Sequence, residues 1–170
     1  MLSLYAGLRI GEVCALRWNN IDFKNRIITV DSTIIRIKNE NNKWIYKIGP
    51  PKTTHSKRDI PITDNLYQLL TAEFSNKKSP YIVSSQESFL NIRTFEYWYH
   101  KLLNDADLYP HHFHTFRHTF ATRCIESGVD IKTLSAILGS SSVSFTLNTY
   151  VHSFFQEKCI QMEKLNNLMG

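Results

Sequence analysis

The sequence predicts an α+β fold, mainly helical with a small three-stranded antiparallel sheet. Three observations carry this. β-branched runs are confined to one stretch, where RIITVDSTIIRIK, WIYKI and RDIPIT read as strands. Apolar residues recur at helical spacing on both sides of that stretch. Glycines and capping residues punctuate the C-terminal half as helix ends do. A chain of 170 residues can bury one core as one domain, and it contains no internal repeat, low-complexity tract or interdomain linker.

Taken in order, residues 1–17 carry Leu4, Leu8, Ala15 and Leu16 at helical spacing, which predicts a helix with Arg9 and Glu12 one turn apart. This helix begins without an N-cap, so the chain is expected to start partway through a larger protein. From Arg26 the β-branched run follows, then the turn NENNK and the strand WIYKI. Lys52 lies in GPPKTTHSKR, between strands, where Gly49 and two prolines prevent regular pairing. Asp64 is expected to cap the helix NLYQLLTAEF, which the polar SNKKSP closes. NIRTFEYWYHKLLNDADL reads as an amphipathic helix, and Pro110 separates it from the next segment. Gly128 is placed to end TFRHTFATRCIES, Asp130 to cap IKTLSAIL, and Gly139 to end that helix. The terminal QEKCIQMEKLNNLM offers a last helix.

Hydrophobic residues at 42% and charged residues at 21% exclude a wholly disordered chain. A formal charge of +5 fits a polyanionic partner without requiring one. Cys14, Cys124 and Cys159 form no C-x-x-C pair and read as reduced thiols of an intracellular protein, expected in the cytoplasm. No run of eighteen apolar residues and no secretory leader pattern point to a membrane.

The chemistry-bearing stretch is HTFRHTFATRCIESGVDIKTLSAILGSSSVSFTLNTY, with His114 and Arg117 at one end and Tyr150 at the other. Cleavage of a phosphodiester by a protein nucleophile places extra negative charge on the non-bridging oxygens of phosphorus. A guanidinium holds two such oxygens at once and never loses its proton, so two arginines from separate segments can clamp them. With that clamp no metal is required, and no cofactor is expected. A tyrosine hydroxyl has a reference pKa near 10 and needs a base or a strongly positive site to attack at neutral pH. The leaving oxygen needs a proton, which a lysine on a turn can supply.

These segments resemble the catalytic domain of the tyrosine recombinases, the phage integrase family of phages and mobile elements. GLRIGEVCALRWNNID is similar to the family's first-arginine box, KTTHSKRDIPI to its lysine turn, HTFRHTFAT to its His-x-x-Arg box and LNTYVH to its nucleophile box. The resemblance implies Arg9 and Arg117 as phosphate clamps, Glu12 as the acid orienting Arg9, and Lys52 as general acid. It implies His114 in proton transfer or phosphate contact, and Tyr150 as the nucleophile of a 3′-phosphotyrosyl link. Site-specific recombination of double-stranded DNA is the implied function, with 1–170 as catalytic domain and the family's N-terminal DNA-binding domain, with the start of the first helix, absent.

One position departs from the pattern. Where the family has LGHSS this chain reads LGSSS, which puts Ser140 in place of a phosphate-contacting histidine. Serine can donate a hydrogen bond but cannot be cationic. His152 is a candidate substitute. Strand exchange and topoisomerase-like relaxation share this chemistry, and a catalytically weakened DNA-binding remnant is the alternative that Ser140 raises. His114 and His118 stand one helical turn apart but lack the thiolates or carboxylates that usually complete a zinc site. Phe95, Tyr97, Trp98 and Tyr99 read as a packing stripe in preference to a base-stacking platform. The apolar residues within 153–168, Phe154, Phe155, Ile160, Met162, Leu165 and Leu168, predict a tail that packs on its own domain or across a subunit interface, so that copies oligomerise on DNA.

Overall fold

A computed structural model describes residues 1–51, 56–84 and 86–140, together with Cys159, Met162 and Glu163. Six helices and five strands are defined among them. The first helical stretch is broken: α1 spans Leu2–Ala6 and α2 spans Ile10–Ala15. This corrects the continuous helix expected over 1–17. Gly7 causes the break, because it adopts a left-handed conformation at φ 66°. A side chain there would also strike Phe120, since an added Cβ would lie 2.7 Å from its ring. Arg9 is therefore the extended N-cap residue of α2, and Glu12 at the third helical position accepts from the Arg9 backbone N–H.

The β-branched run also divides. Strand β2 (Ile27–Val30) stops before Asp31, and β3 (Thr33–Lys38) begins after Ser32. β1 (Ile21–Asp22), β2 and β5 (Arg58–Pro61) form an antiparallel sheet in the order β1-β2-β5. β3 and β4 (Trp44–Gly49) form a separate antiparallel hairpin, in register from Thr33 opposite Gly49 to Lys38 opposite Trp44. The three-stranded sheet is thus present, with a two-residue β1 as its third member and the hairpin standing apart. Burial explains the split. β2 inserts Ile28 and Val30 into the main core with Leu8, Leu66 and Ile60, whereas β3 sets Ile34 against Cys14 and Ala15 of α2. One flat strand cannot serve both surfaces.

The C-terminal half follows the punctuation of the sequence. α3 spans Asp64–Ser75, with Thr63 and not Asp64 as its N-cap; Asp64 is in the first turn and ion-pairs with Arg26. α4 (Ile92–Asp105) is capped by Asn91, whose side chain accepts from the Arg93 N–H. α5 (His114–Glu126) ends before Gly128, at φ 79°, and α6 (Ile131–Leu138) starts from Asp130, whose carboxylate accepts from Lys132 and Thr133. Gly139 closes α6 in the left-handed region. α1 packs on α5 through Gly7 and Phe120, and α5 on α6 through Ala121, Ile125, Leu134 and Leu138. The aromatic stripe of α4 divides, for Phe95 and Tyr99 pack on Phe113 while Tyr97 and Trp98 are exposed. No helix among the described residues is long and apolar enough to cross a membrane.

Candidate active site

The site is built around the last turn of α6. A helix end leaves carbonyls without intrahelical partners and carries the negative end of the helix dipole. Here the earlier carbonyls close locally: Ser140 N–H donates to Ser135 O, and Gly139 N–H to Ala136 O. The next three carbonyls each receive a different arginine. Arg58 Nε donates to Ile137 O at 2.5 Å, Arg117 Nη2 to Leu138 O at 2.7 Å, and Arg9 Nη2 to Gly139 O at 3.2 Å. These arginines come from β5, from α5 and from the cap of α2. One short helix end therefore gathers three distant parts of the chain.

Each arginine has further partners. Arg117 is buried and also donates to Gly7 O, so it ties the α1 break to the α6 end. Arg9 is the most open of the three, its side chain 40% exposed. Its backbone N–H donates to Glu12 Oε2 at 2.9 Å and its Nη1 to Glu12 Oε1 at 3.0 Å. Glu12 is buried and is shared with Arg58, whose Nη1 and Nη2 reach Oε1 and Oε2 at 3.1 and 2.9 Å. Burial by itself would raise the Glu12 carboxyl. The hydrogen bonds and charge of Arg58, joined by those of Arg9, outweigh that and hold it below its ordinary value.

His114 opens α5 one turn before Arg117. Its ring meets that of His118 edge to face at 4.7 Å between centroids. Partial burial, then the charges of His118, Arg117 and Arg9, push its pKa below the usual histidine value. A neutral imidazole at neutral pH follows, able to accept a proton or to donate one hydrogen bond. Among the described residues no group of three or more His, Cys, Asp or Glu side chains is arranged to hold a metal ion.

Of the residues the motifs single out, Arg9, Glu12, His114, Arg117 and Ser140 thus meet at or beside the α6 end. Lys52, Tyr150, His152 and the apolar tail, apart from exposed Met162, lie outside the described residues. Arg58 is a member of the cluster that the motif reading does not assign. A signal for it exists in RDIPI: period-two alternation puts Arg58 on the same sheet face as Ile60 and Ile62, both buried. An inward arginine requires a buried acceptor, and Glu12 is the buried carboxylate it meets.

Residues 1–157 match the phage integrase family. The chain is 33% identical over 191 residues to a tyrosine recombinase XerC-like protein of Caldanaerobacter subterraneus subsp. tengcongensis, a match covering 99% of this chain and 48% of that protein. It is 29% identical to the transposase from transposon Tn916 of Enterococcus faecalis, over 98% of this chain and 44% of the transposase. Among solved structures it resembles the integrase of transposon Tn1549 in complex with transposon right end DNA, with a TM-score of 0.76 and 30% identity, over 97% of this chain and 57% of that one. The chain spans about half the length of the curated relatives it matches. Motif order, the arginine cluster on the α6 end, and a family match across most of the sequence agree, and the chain belongs to the phage integrase family of tyrosine recombinases.

Proposed function

We propose that residues 1–170 form the catalytic domain of a site-specific recombinase that cuts and rejoins double-stranded DNA for a mobile element. One observation carries this reading: Arg9 and Arg117, more than a hundred residues apart in sequence, donate to successive carbonyls of one helix end, Gly139 O and Leu138 O. That convergence supports a clamp in which the two guanidiniums meet one phosphate. The similarity to an integrase solved with transposon DNA supports duplex DNA as the substrate.

In this mechanism the Tyr150 oxygen attacks phosphorus. The P–O5′ bond breaks, Lys52 protonates the departing 5′ oxygen, and Arg9 and Arg117 neutralise the charge gathering on the non-bridging oxygens. Neutral His114 accepts the proton that the Tyr150 hydroxyl gives up on attack and returns it when the strand is rejoined, and its ring N–H can donate to the phosphate. The phosphotyrosine ester conserves the bond energy. A 5′-hydroxyl from the same or another strand then attacks it, restores the phosphodiester and releases the tyrosine hydroxyl. Action on chromosomal DNA places the protein in the cytoplasm, and assembly of copies on DNA through the C-terminal tail belongs to the same reading.

A nicked suicide substrate, whose released piece diffuses away, tests this directly. A covalent protein–DNA band from the wild type, lost in Tyr150→Phe with DNA binding retained, is the expected result. An adduct formed by Tyr150→Phe would remove Tyr150 as nucleophile. Ser140 favours the second reading, a DNA-binding remnant with weakened catalysis. There the wild type binds DNA without an adduct, and Ser140→His restores one.

A further inference from the structure

Arg58 is not among the residues that would touch the phosphate in the mechanism above, yet it is held by a carboxylate and two carbonyls. Its side chain is 5% exposed and Glu12's is 2% exposed. Four donations leave the one guanidinium: two to the Glu12 carboxylate, one to Ser56 O at 2.9 Å and one to Ile137 O. The Glu12 carboxylate is divided evenly, because each of its oxygens takes one bond from Arg58 and one from Arg9. Arg58 thus reaches Arg9 through Glu12. It reaches the carbonyls that receive Arg9 and Arg117 through the neighbouring Ile137. The fit leaves no spare room, for a Cβ on Gly139 would lie 2.8 Å from Arg58 Nη1.

We infer that Arg58 is a positioning residue, which sets the Arg9 guanidinium by fixing Glu12 and sets the end of α6 by holding Ile137 O. Its consequences for cleavage rest on the reading of this chain as a recombinase. A planar fork is needed for the task, since it must bridge two carboxylate oxygens while its Nε faces a carbonyl in a third direction. Lysine retains the charge but supplies a single ammonium, which cannot span those acceptors. The rival account is that Arg58 merely neutralises Glu12 and supports the fold. On that account lysine serves nearly as well, and any rate defect follows lost stability.

The test uses Arg58→Lys in the 170-residue chain with three readouts: thermal unfolding, single-turnover phosphotyrosyl formation at saturating suicide DNA, and hydrogen exchange at the Arg9 amide. That amide reports positioning without any catalysis, because it donates to Glu12 Oε2. We expect the folded variant to bind DNA as the wild type does, to form adduct roughly ten- to a hundredfold more slowly, and to exchange the Arg9 amide faster while the Ile28 amide stays protected. Combining Arg58→Lys with Glu12→Gln should be no slower than the slower single variant, as expected for two residues acting through one another. A wild-type rate in Arg58→Lys, or defects that multiply in the double variant, would overturn the inference and leave the recombinase reading standing. So would a rate that recovers fully on cooling below the unfolding transition. Failure of the wild type to form any adduct would instead overturn the recombinase reading, and exchange at the Arg9 amide would then decide the positioning role alone, an unchanged amide refuting it.

Discussion

Positive charge is used in opposite ways at two places in this fold. At the end of α6, Arg58 and Arg117 are buried and their donors meet carbonyls and the Glu12 carboxylate. On the β3–β4 hairpin, Arg36 and Lys38 are exposed and lie over the ring of Trp44, at 4.6 and 5.4 Å from its centroid. With Lys43 and Lys47 the hairpin presents four cations against one acid, Glu40. A buried guanidinium held by several fixed acceptors is itself a fixed object, able to define the position of a reacting group. An exposed cation resting on an aromatic ring is held only loosely and serves attraction at longer range. Geometry, and so reaction rate, should therefore depend on the α6 end, and DNA affinity on surfaces such as the hairpin.

The largest effect that can break this contrast is removal of the shared acid. Glu12→Ala strands the buried Arg58 charge, and loss of one partner of a buried pair costs about 3–5 kcal/mol. Chemical denaturation should show a drop of that size with an unchanged dependence on denaturant. A loss below about 1 kcal/mol would mean that water or another group reaches Arg58, and that the α6 end is less closed than its contacts imply. Next in size is Gly139→Ala. Its φ of 59° disfavours any side chain, and the added Cβ would press on Arg58, so a loss of about 1–3 kcal/mol is expected. Cleavage should fall with it, because Gly139 O receives Arg9. An alanine variant of full stability and rate would contradict the close fit.

Acid should act on the α6 end in two windows. Glu12 and His114 both have pKa values depressed in the folded state, from ordinary values of 4.5 and 6.5. A depressed value means that the unfolded chain takes up the proton first, so the stability involved is complete above the ordinary value and is lost as pH falls through the folded one. Unfolding temperature should start to fall below about pH 6.5 through His114 and fall further below about pH 4.5 through Glu12. His114→Gln should remove the first decline and leave the second. If both declines survive in that variant, another group is responsible for the upper window.

How much of this was legible in the sequence depends on where the determining interaction lies. Gly128, Asp130, Gly139 and Asn91 act within a few residues of themselves, and the helix ends they set follow from local chemistry, with only Asp64 displaced from its expected capping position by Thr63. Gly7 is local too, yet its effect was masked by apolar residues that keep helical spacing on both sides of it. The division of RIITVDSTIIRIK is a tertiary event, since Asp31 and Ser32 carry no strong break and two different cores draw the halves apart. The motif residues Arg9, Glu12, His114, Arg117 and Ser140 could be named from the resemblance. The convergence of Arg9 and Arg117, with Arg58, on three consecutive carbonyls could not, because backbone acceptors leave no trace in residue identity. Arg58 lies between these cases, visible by alternation as an inward charge and recognisable as part of the site only once Glu12 is seen beside it.

The smallest effect is expected on the hairpin, and it sharpens the contrast most. Trp44 is 55% exposed and makes its cation contacts in water, where such an interaction is worth about 0.5–1 kcal/mol. Trp44→Ala frees Arg36 and Lys38 without removing their charge, so the affinity for duplex DNA should weaken by roughly two- to fivefold. The dependence of binding on salt should stay the same, because it counts phosphates neutralised, and both cations remain. Lys38→Ala should instead reduce the salt dependence by about one counterion while costing a similar amount of affinity. Neither variant should alter the rate of adduct formation at saturating DNA, since no described contact joins the hairpin's cations to the α6 end. Fluorescence anisotropy across a salt series, paired with single-turnover cleavage, reads both quantities. A rate defect in Trp44→Ala at saturating DNA would show that the hairpin helps shape the reacting centre, and the separation between fixed and adaptable cations would have to be abandoned.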